Sequence, residues 1–388
     1  VLNGIRPQYT GQPAVIPLGL TWEKSTTLNL GLDFAFLSNR LQFSGDIYQR
    51  KTTDMFTVGM SLPAVFGTDV PKGNYADLTT KGFELSVSWR DQFQLASKPF
   101  NYEVRFTLAD YQSTIDKYNN PEKKLGDDYY YEGMKVGEIW GYETEGFFTS
   151  QADIDSHAKQ PYFYAGATAG QWLPGDIKFK DLNGDGVIDY GNNTVDNPGD
   201  QKIIGNSEPR FIYGINLSGD WNNFFVSAFF QGVGKQDWWP GSEASYFWGM
   251  YNRPYNDMPK SHLGNIWTEE NPNTYFPRLR GYSSEEPYAE LNLKQTRYLQ
   301  NIAYIRMKNI QLGYTLPKSF ISKLRMQNAK VYVSGENLWS WSPFYKYSKD
   351  LDVEAVRGSD RDLTEGTSGN GYSYPILKSV SFGLSVTF

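Results

Sequence analysis

Residues 180–189 read KDLNGDGVID and place Asp181, Asn183, Asp185, Gly186 and Asp189 within one short run. Calcium takes about six to eight oxygen ligands, and the helix–loop–helix calcium loop supplies them at fixed offsets. Asp181, Asn183 and Asp185 fall at offsets one, three and five of such a loop. Gly186 makes the sharp turn at six, the Val187 carbonyl falls at seven, and Asp189 at nine. Offset twelve, which should be a bidentate carboxylate, is Asn192, with Asp196 or Asp200 able to substitute if the insert YGNNTVDNPGD folds back. No helical pattern flanks the run on both sides, so a calcium-driven switch is not expected. Two readings stay open: a structural Ca2+ bracing a long loop, or an Asx-rich turn without metal.

A second chemical signal is aromatic. The segment QDWWPGSEASYFWGMYNRPYNDMP (236–259) carries Trp238, Trp239, Tyr246, Phe247, Trp248, Tyr251 and Tyr255, and Trp267 and Tyr275 follow. Flat apolar rings with a polar handle suit sugar stacking. Asp237, Asn252, Arg253 and Asp257 stand beside them as hydroxyl partners. The candidate ligand-binding set is Trp238, Trp239, Tyr246, Trp248, Tyr251, Asn252, Arg253 and Trp267. The competing role is packing of loop on loop, or cover for a partner protein, since interfaces favour Tyr, Trp and Arg.

Catalysis finds little support. The chain has no cysteine and only His157 and His262, which removes thiol chemistry and leaves almost no room for a His-based triad or metal centre. The 43 acidic residues could include a hydrolytic carboxylate pair, but no spacing singles one out. No phosphate loop or nucleophile-elbow pattern occurs. A net charge of −6 spread over both signs gives no nucleic-acid footprint.

The elements that must position these groups are strands. Leu28, Leu30, Leu32, Phe34 and Phe36 alternate with polar residues, as do Leu41, Phe43 and Ile47. The pattern recurs at 82–90, 101–109 and 211–219, continues less regularly through 224–231, 302–315 and 329–338, and ends in Val380, Phe382, Leu384, Val386 and Phe388. About nine strands result, each with one apolar and one polar face. Short connections at 37–40, 91–100, 220–223 and 317–328 alternate with long ones at 51–80, 110–208, 236–300 and 342–375. That sorting is typical of outer-membrane barrels, with short periplasmic turns and long extracellular loops. Aromatics at 16% with 37 glycines, a mean hydropathy of −0.55 and no long apolar run suit the same class. Trp22, Trp89, Trp221 and Trp339 near strand ends fit interfacial girdles. Single-chain bacterial barrels use even strand numbers, so an odd count places further strands before Val1.

Longer blocks carry a family resemblance. WEKSTTLNLGLDFAFLSNRLQFSGDIYQRKTTDMF (22–56), TKGFELSVSW (80–89), KVGEIWGYETEGFF (135–148) and GDIKFKDLNGDGVID (175–189) are the first four. IGNSEPRFIYGINLS (204–218), YIRMKNIQLGYTLP (304–317), VYVSGENLWSW (331–341) and FGLSVTF (382–388) complete the series. Together they resemble the C-terminal region of SusC/RagA-type TonB-linked outer-membrane transporters, over nearly the whole chain and in order. The resemblance implies an all-β fold. Residues 1–388 would be the C-terminal portion of an antiparallel transmembrane β-barrel, about nine strands with long extracellular loops. Plugged transporter barrels have about 22 strands, which leaves about thirteen, the plug and the TonB-contacting segment outside this sequence. It further implies a multi-pass place in the cell outer membrane, against its lipid. The partners would be a SusD-like surface lipoprotein and the TonB complex, the cargo glycans, oligosaccharides or oligopeptides. The competing readings are a secreted or surface glycan-binding β-protein without transport and, third, a glycan-degrading enzyme.

Overall fold

The structure, a computed structural model, describes residues 19–59, 70–126, 129–161, 171–242, 244–280, 284–285, 289–356 and 374–388. Its frame is one antiparallel sheet. In chain order the first wall strands are β1 (Lys24–Phe36), β2 (Leu41–Val58), β3 (Lys72–Leu95) and β4 (Lys98–Lys117). The next connection holds four short strands. β5 (Glu138–Tyr142) pairs with β8 (Gln201–Asn206), and β6 (Thr144–Phe147) pairs with β7 (Ile177–Phe179). The wall resumes with β9 (Arg210–Trp221) and β10 (Phe224–Lys235). β11 (Asp237–Trp238) and β12 (Gln300–Asn301) then close the base of the following loop on each other. β13 (Tyr304–Thr315), β14 (Asn328–Trp341) and β15 (Ser379–Thr387) complete the wall.

The nine wall strands pair in the order β1-β2-β3-β4-β9-β10-β13-β14-β15, each with its sequence neighbour in the wall. The sheet is not closed: β1 and β15 are its two edges. Short turns join strands at one end. Ala96 and Ser97 have φ of 49° and 63°, and Asn222 and Asn223 have 48° and 72°. Two successive positive-φ residues are what a tight hairpin needs to match strand twist. All the long connections leave from the opposite end.

Register separates the two faces. Phe34, Phe43, Val87, Phe106, Ile215, Phe230, Met307 and Trp339 form one continuous cross-strand row. One residue along, Asp33, Ser44, Ser86, Thr107, Gly214, Gln231, Arg306 and Ser340 form the row on the other face. Leu28, Leu30, Leu32 and Phe34 lie on the apolar face, and Val380, Phe382, Leu384 and Val386 continue one apolar set on β15. Leu30 is 63% exposed and Phe382 85%. Among the described residues no protein layer covers this apolar face.

Two features depart from the simple alternation. The pairing of β13 with β14 slips beside Lys308, and Asn337 there has φ of 53°. The bulge switches parity, so Met307 above it and Ile310 below it keep the apolar set on one face. The wall also reaches further than the apolar pattern. Residues 51–58, 72–80, 91–95 and 98–100, expected as connections, are strand, and only Ala96-Ser97 separates β3 from β4. In 51–58 and 72–80 apolar and polar residues no longer alternate cleanly, so the ladder runs on there without a clear periodic signal.

The buried apolar core lies in the connections. Tyr142, Ile177, Phe179, Ile188, Trp238, Phe247, Trp248, Tyr251, Phe276, Leu291, Tyr298, Ile302, Phe344 and Val353 pack together from three separate loops. They form a cap over one end of the wall. Among the described residues no helix is long and apolar enough to cross a membrane.

Candidate functional site

The run at 181–189 is built from Asx turns. Asp181 accepts N–H groups of Gly184 (2.7 Å) and Gly186 (2.9 Å), Asn183 accepts that of Asp185 (2.9 Å), and Asp185 that of Val187 (2.8 Å). Gly184 and Gly186 have φ of 76° and 83°, a region where a Cβ is strained. Asp189 accepts from Gly191 N–H at 2.7 Å. The fold-back weighed in the sequence occurs, and the residue that arrives is Asp200. It is fully buried and accepts N–H groups of Leu182 (2.7 Å) and Asp189 (2.9 Å). Asn192 instead donates its N–H to the Asn197 carbonyl.

These carboxylates are committed to backbone donors, which hold Asp181 below the usual carboxylate range despite a small opposing effect of burial. Among the described residues no group of three or more His, Asp or Glu is gathered as a metal holder. The Asx turns account for the backbone geometry of the run, and a structural Ca2+ there is a separate proposal with a direct test. Limited proteolysis of 176–205 should run at the same rate with and without chelator. A rate that rises several-fold on chelation would restore the cation at Asp181, Asn183, Asp185, Asp189 and the Val187 carbonyl.

The aromatic candidates divide in two. Trp238, Trp248, Tyr251 and Asn252 are enclosed in the cap, with Trp248 and Tyr251 at 0% exposure. Trp248 Nε1 donates to the Pro240 and Gly241 carbonyls at 3.1 Å each, and the Tyr251 hydroxyl donates to the Pro277 carbonyl at 2.6 Å. Asn252 accepts from the Ser245 hydroxyl at 2.6 Å and donates to the Ser242 carbonyl at 2.5 Å. For these four the structure shows packing, the other role weighed from the sequence. Trp239, Tyr246, Arg253 and Trp267 keep open surface, Tyr246 most of all at 56%. One face of Trp267 lies against Gly175. Trp239 meets Trp248 edge to face at 6.3 Å.

Two ionic nodes that sequence spacing could not reveal anchor the cap. In the first, Arg280 Nε donates to fully buried Asp176 at 2.7 Å, its Nη2 to the other Asp176 oxygen, and Glu290 accepts the Ile177 N–H at 2.9 Å. Burial pushes both carboxyls up, that of Glu290 well above the ordinary value, with Arg280 opposing. In the second, Arg306 on the polar wall face pairs with Asp352 (2.6 Å) and Glu354 (3.0 Å), and Lys308 with Glu354 (2.7 Å). Burial raises the Asp352 carboxyl, but the Arg306 hydrogen bond and others outweigh it and hold it below its usual range. Glu143 is held by Lys180 and Lys202, and Glu145 lies 3.9 Å from Lys178.

The cap also encloses two clefts. One, of about 350 Å³, is bordered by Tyr129, Tyr131, Trp140, Tyr190, Asn193 and Lys294. The other, of about 520 Å³, lies where the 261–276 segment, Arg297 and the Lys346–Tyr347 turn meet. Both join residues from different loops.

Residues 2–175 match the family model described as TonB dependent receptor-like, beta-barrel. TonB-dependent receptor P3 of Formosa agariphila is 28% identical over 387 residues, covering 95% of this chain and 34% of that relative. TonB-dependent receptor SusC of Bacteroides thetaiotaomicron is 23% identical over 396 residues, 98% of this chain and 33% of that relative. Among solved structures, the RagAB peptide importer in its closed-closed state superposes with a TM-score of 0.66 at 20% identity, over 95% of this chain and 36% of that one. That likeness shows the fold. The chain spans about a third of the length of the curated relatives it matches.

Proposed function

From the premise that this chain carries the barrel fold of the TonB-dependent receptors and is related to SusC, we propose that it supplies wall and extracellular cap to a SusC/RagA-type outer-membrane importer. The observation that carries this reading is the uncovered apolar row running from Phe34 to Trp339, backed across the sheet by a row of polar side chains. In a bilayer the apolar row faces lipid, and the backbone groups of each interior strand are satisfied by its neighbours. The polar row lines the lumen. The cap, fed by three of the long connections, stands outside the membrane over the opening.

The work done is capture and gated passage, without bond chemistry. The relatives' names are those of receptors, not enzymes. Energy comes from TonB through segments beyond these residues, and a SusD-like lipoprotein closes over the cap. Cargo is a glycan or an oligopeptide. Trp239, Tyr246, Arg253 and Trp267 present the open surfaces that meet cargo or lipoprotein.

The test uses the absence of native cysteine in this chain. Spin labels placed at Leu30→Cys and Phe382→Cys should be relaxed by oxygen dissolved in lipid. Labels at Ser86→Cys and Thr107→Cys should be relaxed by a water-soluble nickel chelate. The opposite assignment would overturn the membrane reading.

A further inference from the structure

We propose that the cleft between the 261–276 segment and the Lys346–Tyr347 turn is an anion subsite of the cap, built to take the carboxylate or sulfate group of an acidic sugar. This rests on the importer reading and narrows its cargo. The cleft, of about 520 Å³, is bordered by Ser261, Asn265, Tyr275, Arg297, Lys346 and Tyr347.

Arg297 is the reason for the anion. Its Nε donates to the Tyr275 carbonyl at 2.9 Å and its Nη2 to the Thr274 carbonyl at 2.6 Å. The guanidinium carbon lies 4.1 Å from the centroid of the Phe147 ring. These contacts fix the fork in place but bring no negative charge, and arginine carries more donors than two carbonyls absorb. Several other cations of the cap do have carboxylate partners: Arg280 has Asp176, Arg306 has Asp352, Lys178 has Asp153. Among the described residues neither Arg297 nor Lys346 has a carboxylate at ion-pair distance. A pre-held guanidinium at a cleft wall is the donor set that carboxylates and sulfates fit, since its planar fork meets two oxygens at once.

Lys346 brings the second charge to the same cleft. Its side chain is exposed, with Nζ 5.2 Å from the Tyr347 ring centroid. Tyr347 stacks on Tyr275 at 4.1 Å and 15°, which ties the Lys346 turn to the segment that holds Arg297. The two cations therefore come from separate loops onto one space by a fixed aromatic joint. Ser261 and Asn265 at the rim add a hydroxyl and an amide, partners for sugar hydroxyls rather than for an apolar side chain.

The experiment is calorimetric binding to the natural full-length protein in detergent. The probes are uronate-containing and sulfated oligosaccharides, each beside its carboxyl-reduced or desulfated counterpart, and acidic pentapeptides. A charged oligosaccharide should bind at least tenfold more tightly than its neutral counterpart, and the preference should shrink as salt is raised. Lys346→Gln and Arg297→Gln should each remove most of that preference, and Arg297→Lys should retain part of it. Lys346 is exposed and makes no structural ion pair, so its variant keeps the cap folded. Limited proteolysis of the Arg297 variants checks theirs. No preference for charge, a preference that survives both glutamine variants, or acidic peptides bound in place of the sugars would overturn the subsite. None of these results touches the spin-label assignment of the wall, so the importer reading stands or falls separately.

Discussion

Arg280→Met is expected to loosen the cap by about 3–5 kcal/mol while leaving the wall assembled, the usual cost of stripping one partner from a buried ion pair. Arg280 is the close counter-ion of Asp176, a fully buried carboxylate that also accepts the Leu173 N–H at 2.7 Å. Arg278 stands farther off, at 3.9 Å, and is a third exposed. Glu290 shares the site with one oxygen on the Ile177 N–H and the other, Oε1, without a hydrogen-bond partner among the described residues. Methionine keeps the volume and removes the charge, leaving two buried carboxyl groups to repel or to take up protons. The node joins the start of β7, the 278–280 segment and Glu290, so its loss acts on all three. Amide hydrogen exchange at Ile177–Phe179 should quicken by two orders of magnitude or more, while β3 and β4 keep their protection and the folded barrel keeps its gel mobility. Arg280→Met combined with Asp176→Asn should recover part of the loss, because the stranded charge is gone. Unchanged exchange in the single variant would mean that the node contributes nothing to the cap.

The wall was legible in the sequence and the cap was not, for one physical reason. In β1 and β15 each side chain meets either an apolar or a polar surround, and Leu28 to Phe34 and Val380 to Val386 record that alternation directly. The reading weakens where the surround becomes the same on both sides. β2 beyond Lys51 and β3 before Thr80 are strands without period two, so the sequence shows connections there. The bulge at Lys308 breaks the period in a different way, by changing the parity of β13 in mid-strand. The likeness to the curated relatives extends over nearly the whole chain, 95% of it for one and 98% for another.

Inside the cap, burial follows from contacts between loops, which carry no local signature. Trp239 and Trp248 stand in one aromatic run, yet Trp248 is enclosed and Trp239 is open on one side. Nothing in QDWWPGSEASYFWGMY separates them. The same holds for charge: Arg297, in QTRYLQ, has no acidic neighbour in sequence, but neither has Arg280, which finds Asp176 from another loop. Only the assembled cap shows which cation is paired. The 181–189 run was legible as an Asx-rich turn, and the arrival of Asp200 was legible as an alternative. Its choice over Asn192 and Asp196 depends on the fold of 190–200.

Acid should weaken the cap around His262, and the sign of the effect separates this residue from its acidic neighbours. His262 is 1% exposed, with its ring 4.0 Å from Phe276 and edge-on to Tyr251 at 5.8 Å. Nε2 donates to the Phe247 carbonyl at 2.9 Å, and Nδ1 has no partner among the described residues. Burial among aromatic rings pushes its pKa down to about 4, with the Phe247 carbonyl opposing more weakly. A lowered histidine contributes stability that is present above its ordinary value near 6.5 and is lost as pH falls from there toward 4. The full effect is on the order of 3 kcal/mol. Glu290 and Asp176 have the opposite sign. Their carboxyls are raised, so their contribution is greatest in acid and is lost as pH rises through the raised values. Asp352 is lowered and loses its contribution only below the ordinary carboxylate range, outside this window. Hydrogen exchange at Phe247, Trp248 and Phe276, corrected for intrinsic rates, should therefore quicken between pH 6.5 and 4 in the natural protein. His262→Gln removes the imidazole and should abolish the acid-side quickening, since the raised carboxyls of Glu290 and Asp176 act with the opposite sign. Exchange that is flat in the natural protein, or a slope unaltered by His262→Gln, would show that His262 is not the proton-sensitive group of the cap.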